Sequence, residues 1–150
     1  MTFKKISSLA VAAILLAGVG ITVAQDAFVA PATPEAAVAA RKALMKQDGG
    51  LLRSAGNLTG AEAEAAMTTL QANYSHIPLL FPEGSIVADS EALPIIWEKW
   101  ADFAAIAKTG EDAATAGLAA AKAGDAAGYA AALKTIGGTC GTCHQTFRGQ

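Results

Sequence analysis

The chain has 150 residues, 53% of them hydrophobic and 16% charged, with a formal net charge of −2. Setting aside Lys4 and Lys5, which belong to the leader described next, nine basic residues face thirteen acidic ones, a net charge of about −4. An acidic, aromatic-poor chain of this kind lacks the clustered Lys and Arg of a nucleic-acid binder. Its many alanines and few β-branched residues favour helix.

Residues 1–24 read as a cleaved signal peptide. Lys4 and Lys5 form a positive n-region, and Ile6 to Val23 is apolar apart from Ser7, Ser8, Thr22 and glycines. No acidic residue precedes Asp26, and Thr22-Val23-Ala24 is a small-x-small cleavage site. Removal after Ala24 leaves residues 25–150 as one domain in the periplasm, with no membrane span. The alternative is a retained anchor, since the apolar run is nearly long enough to span.

Four helices follow in chain order. The first is expected from Pro34 to Ala55, with Thr33 as N-cap and Pro34 in the first turn. Val38, Arg41, Met45, Asp48, Leu52 and Ala55 recur on one stripe at spacings of three and four. Arg41 and Asp48 are charged members that a purely structural seam would avoid. Gly49-Gly50 weakens the middle and predicts a kink. The second helix starts at Thr59-Gly60-Ala61-Glu62, which reads as a capping box, and ends before Pro78. Ala63, Met67, Leu70, Tyr74 and Ile77 form its stripe. His76, near its end, suits the negative end of the helix dipole and is read as structural or solvent-exposed.

A connection of about fifteen residues runs from Pro78 to Leu93 and is expected to cap the bundle. The third helix is expected to run unbroken from Pro94 to Ala123. Ile96, Trp100, Phe103, Ile106 and Ala107 form its core face, and Trp97 and Trp100 supply much of its buried area. Gly124 provides a C-cap and Asp125 the next N-cap. The fourth helix spans Ala126 to Phe147. Tyr129, Leu133, Ile136, Cys140, Cys143 and Phe147 share its seam. Four helices with one long connection predict an all-α, antiparallel four-helix bundle.

Cys140-Gly141-Thr142-Cys143-His144 reads C-x-x-C-H, the attachment site of a c-type haem. Two thiols one helical turn apart can each add to one vinyl group of the same porphyrin, and the adjacent imidazole can bind the iron. The alternatives are a zinc site, a thiol–disulfide redox site and a plain disulfide. Zinc wants four ligands, and the other histidine, His76, is distant in sequence. A thioredoxin-like site needs a strand–helix context, and no strand pattern appears. Placement on the inward seam of the last helix favours haem. No acid–base pair or nucleophile constellation suggests an enzyme.

The stretch Ile136 to Arg148, with Arg41-Lys42-Ala43-Leu44-Met45, resembles cytochrome c′ and its class II relatives. Leu80-Phe81-Pro82-Glu83-Gly84-Ser85 and Leu93-Pro94-Ile95-Ile96-Trp97 resemble the c-556 type within that class. The resemblance covers essentially the whole chain after residue 24. It implies one covalent haem c, with thioethers to Cys140 and Cys143 and His144 as proximal iron ligand. It also implies that Arg41 pairs with a haem propionate and that Arg148 lies near the proximal face; the bland alternative for Arg41 is a snorkelling surface side chain. Met45 would face the distal side of the iron. In cytochrome c′ proper a hydrophobic residue blocks that side without bonding, and the iron is five-coordinate and high-spin. In the c-556 type a Met from the same helix ligates it, and the iron is low-spin. The Leu44-Met45-Lys46 and Leu80-Phe81-Pro82 segments favour ligation; packing alone is the alternative. The partners implied are redox proteins, a second copy in a homodimer and, if Met45 does not ligate, nitric oxide or carbon monoxide.

Overall fold

The computed structural model describes residues 28–149; the expected leader and its cleavage site lie outside them. Helix α1 (Pro34–Ala55) begins as the sequence predicts: Ala36 N–H donates to Thr33 Oγ1 at 3.2 Å, and Pro34 occupies the first turn. The helix continues through Gly49-Gly50 without interruption. Val38, Arg41, Asp48 and Ala55 are buried on its inner face.

Helix α2 (Gly60–His76) starts at Thr59, but the predicted capping box does not form. Gly60 takes a left-handed φ of 53°, which opens the first turn, and the Thr59 side chain makes no capping bond. Ala63, Met67, Leu70, Tyr74 and Ile77 are all buried, as the stripe requires. A 3₁₀ turn, Ile77–Leu80, carries Pro78 and leads into the connection.

The predicted third helix is in fact two. A short α3 (Ile95–Glu98) is followed by a break at Lys99 (φ −118°, ψ 43°) and then by α4 (Trp100–Ala123). The break resets the register. Ile96 and Phe103 are both in the core, yet Trp100, which a continuous helix would place beside them, is 39% exposed. Trp97 is half-buried and donates its indole N–H to Phe81 O at 3.0 Å. Gly124 (φ 68°) ends α4, and Asp125 caps α5 (Ala126–Phe147) by accepting from Gly128 N–H at 2.9 Å.

The four long helices α1, α2, α4 and α5 form an antiparallel bundle. Helix α4 packs against both α2 and α5, and small residues set the close approach. Gly110 faces the Tyr74 ring, and Gly117 faces Met67 and Ala132. Helix α1 is separated from α5 along part of its length by the cavities described below. The connection is tied to the end of α5: Leu93 N–H donates to Phe147 O at 3.0 Å, and Gly149 N–H to Glu91 O at 2.8 Å. No helix among the described residues is long and apolar enough to cross a membrane.

Candidate haem site

Two cavities lie between α1 and the α4–α5 pair. The larger, about 510 Å³, is bordered by Val38, Arg41 and Met45 of α1, by Phe81 and Glu91 of the connection, by Phe103 of α4, and by Cys143, His144 and Phe147 of α5. The deeper one, about 180 Å³, is bordered by Met45, Asp48, Tyr74, Phe103, Cys140, Cys143 and His144. Met45, Phe103, Cys143 and His144 border both, so the two are parts of one space. A third depression, about 350 Å³, lies on another side of His144 and is lined by Gly141, Gln145, Arg148 and Gly149.

The α5 wall carries the motif. Cys140 and Cys143 are free and half-buried. Cys140 Sγ lies 3.6 Å from Ile136 O and 3.5 Å from Tyr74 Oη. Burial, reinforced by the neighbouring Cys140, pushes the Cys143 thiol up to about 11. It is therefore neutral at pH 7. His144 is half-buried, and burial followed by the positive Arg148 lowers its pKa, opposed by Glu91. A neutral imidazole is the form that binds a metal.

Arg148 itself is exposed and ion-paired to Glu91, with Nε donating to Oε2 at 2.7 Å. It borders the large cavity and the third depression, as His144 does. His76 stacks on Phe28 with ring centroids 4.0 Å apart and borders neither cavity. Burial lowers its pKa, which disfavours the charged form that the helix dipole would attract. Among the described residues no three His, Cys, Asp or Glu side chains converge as a metal cluster.

Arg41 does more than the resemblance implies. It is 5% exposed. One terminal nitrogen donates to Leu80 O (3.2 Å) and Ser85 Oγ (3.0 Å), the other to Ser85 O (2.8 Å) and Ser90 Oγ (2.6 Å). Its guanidinium also lies over the Phe81 ring at 4.6 Å. All four terminal N–H groups thus fasten the connection, and only Nε–H is left for a carboxylate in the large cavity. The sequence marked Arg41 as a misplaced charge, but nothing in the sequence paired it with Ser85 and Ser90. Asp48 and Tyr74 were likewise visible as stripe members but not as walls of the deeper cavity.

The space suits a haem. It has the volume of a ligand site and a mainly apolar lining. Two thiols and an imidazole stand on one wall with a thioether on the α1 side. Lys42, Lys46 and Arg148 border the larger cavity, together with Asp89 and Glu91. A helical bundle with C-x-x-C-H on the inner face of its last helix is the architecture of a covalent haem protein. The family model for cytochrome C′ matches residues 35–148. The chain is 42% identical over 116 residues to a cytochrome c-556 of Agrobacterium tumefaciens, covering 72% of this chain and 93% of the relative. It is 38% identical over 124 residues to a cytochrome c′ of Pararhodospirillum photometricum, covering 78% and 99%. The solved nitric oxide complex of a mutant cytochrome c prime from Alcaligenes xylosoxidans superposes with a TM-score of 0.70 at 25% identity, covering 79% of this chain and 98% of that one.

This chain belongs to the cytochrome c′ family, and its cofactor is covalent haem c. It is a haem carrier of the electron-transfer and gas-binding kind.

Proposed function

We propose that the protein is an exported one-electron carrier. Cys140 and Cys143 would hold its haem by thioethers, and His144 and Met45 would be its iron ligands. The observation that supports this reading is that Met45 of α1 and His144 of α5 border the same two cavities. The haem, when bound there, supplies an Fe(III)/Fe(II) couple. His144, kept neutral by burial, presents its ring nitrogen. Met45 closes the opposite side, and a thioether there raises the potential. Phe81, Phe103 and Phe147 pack edge-to-face along the wall and limit water. Arg41 would offer a propionate its remaining Nε–H while it holds the connection. Lys4, Lys5 and the apolar run to Val23 direct export, and removal after Ala24 leaves residues 25–150 in the periplasm.

The second reading keeps the haem and leaves Met45 unbound, so that the iron takes nitric oxide or carbon monoxide. The nitric oxide complex of the Alcaligenes relative favours it. Optical and EPR spectra of the oxidised and reduced protein, with and without carbon monoxide, separate the two. The carrier reading expects low-spin spectra that carbon monoxide leaves unchanged, and a high-spin, carbon monoxide-binding form for Met45→Ala. Prompt carbon monoxide binding by the reduced wild type would sink it. Haem that stays on the chain through denaturant and reductant establishes the thioethers; a colourless protein would restore the plain disulfide.

A further inference from the structure

Asp48 is the one carboxylate bordering the deeper cavity, and it is 5% exposed. It lies on α1 one turn beyond Met45. Asn73 of α2 donates to its Oδ1 at 2.6 Å. Its Oδ2 takes no hydrogen bond from the described residues, yet no polar side-chain atom is both sealed from solvent and unsatisfied, so Oδ2 has open space beside it. Asn73, itself half-buried, also donates to the exposed Gln47 Oε1 at 3.1 Å, so one polar side chain separates the carboxyl from water.

A carboxylate in an apolar cavity is costly unless a positive charge faces it. The two ion pairs among the described residues do not involve Asp48. Arg41, two turns earlier on α1, has its four terminal N–H groups on the connection. From α2 the only titratable neighbour is Tyr74, whose hydroxyl is engaged by Thr139 and Ile136 O of α5. From α5 come Cys140, Cys143 and His144, the groups proposed to hold the haem. Helix α4 presents Phe103, Ile106 and Ala107, none of which titrates. With a haem in the two cavities, the charge left to face Asp48 would be that of its iron, which changes by one with each electron.

We infer that Asp48 couples a proton to the electron this protein carries. One electron reaches the iron from a one-electron donor protein, one proton reaches Asp48 from water, and one O–H bond forms on the carboxyl; reoxidation returns both. The inference rests on the haem occupying the two cavities. Burial, offset in part by the Asn73 bond, pushes the carboxyl up to about 6, so its proton exchanges near neutral pH. At full coupling a tenfold change in proton concentration shifts the couple tenfold, about 59 mV per pH unit for one electron.

The test is spectroelectrochemical titration of the holoprotein from pH 4.5 to 8.5. In the wild type the potential falls as pH rises through the region around 6. Asp48→Asn keeps the shape and the Asn73 contact. It removes that slope and leaves only whatever the haem's own carboxylates contribute. An identical slope in wild type and variant overturns the inference. Should Asp48→Asn fail to fold, Asn73→Ala serves: it removes the bond that favours the charged carboxylate, so the sloping region moves to higher pH, and an unmoved region overturns the inference. The low-spin or high-spin spectrum recorded in the same cell reports separately on Met45. Loss of the carrier reading therefore appears there and not in the slope.

Discussion

Gly110→Ala should be among the most damaging single-methyl additions in this chain. Gly110 is buried on α4, and a Cβ built there would stand 1.9 Å from Cε1 and 2.1 Å from Cδ1 of Tyr74. Ordinary carbon contacts lie at about 3.5–4.0 Å, so the ring must move by about 1.5–2 Å. It is not free to move, because its hydroxyl bonds to Thr139 Oγ1 at 2.7 Å and Ile136 O at 3.2 Å. Overpacking costs about 1–3 kcal/mol, and the displaced hydroxyl forfeits about 1 kcal/mol for each lost bond. The better helix propensity of alanine offsets about 1 kcal/mol. The net destabilisation is about 2–4 kcal/mol, which for a domain of this size lowers Tm by about 10 °C.

Urea and thermal unfolding of the holoprotein measure this directly. Gly137→Ala is the control: Gly137 is exposed in the middle of α5 with nothing within 4 Å of a new Cβ, so it should gain about 0.5–1 kcal/mol. The double variant Gly110→Ala with Tyr74→Leu should cost less than the sum of its parts, by about 1–3 kcal/mol. A Gly110→Ala protein as stable as wild type would refute the claim that the Tyr74 ring is locked in a slot between α2 and α4.

Two further outcomes follow from buried charges. Arg41→Ala removes four hydrogen bonds and leaves Leu80 O and Ser85 without their partner, so it should destabilise by about 3–5 kcal/mol. Hydrogen exchange should rise most over residues 81–93; unchanged protection there would show that the connection holds itself. Asp48 has a folded pKa raised to about 6 from 3.8. Its contribution is fully present below the unfolded value and is lost as pH rises through about 6. Asp48→Asn should accordingly be more stable than wild type at pH 7, by about 3 kcal/mol, and no more stable at pH 4. A stability gap that does not grow between pH 4 and pH 7 would count against the raised carboxyl.

Much of this was legible in the chain. Stripes at spacings of three and four marked the inner faces of α1, α2 and α5, because a residue at that period returns to the same side of a helix whatever it packs against. C-x-x-C-H named its cofactor for the same local reason: the thiols and imidazole sit within one and a half turns of a single helix. The errors arose where a backbone choice is small in energy. Left-handed Gly60 undid the capping box, and a single non-helical residue, Lys99, split the third helix and turned Trp100 outward. Helix propensity at one position is worth under about 1 kcal/mol, and packing elsewhere overrules it.

Tertiary structure alone decided which residues from different helices share a space. The sequence determined that Cys140, Cys143 and His144 stand together on one helix, and that Met45 and Asp48 lie on the inner face of another. That these two faces meet across one cavity, that Arg41 grips Ser85 and Ser90, and that Asp48 faces no fixed cation are facts of packing. They involve contacts between residues some 25 to 100 positions apart, whose pairing depends on how the bundle closes rather than on any local period.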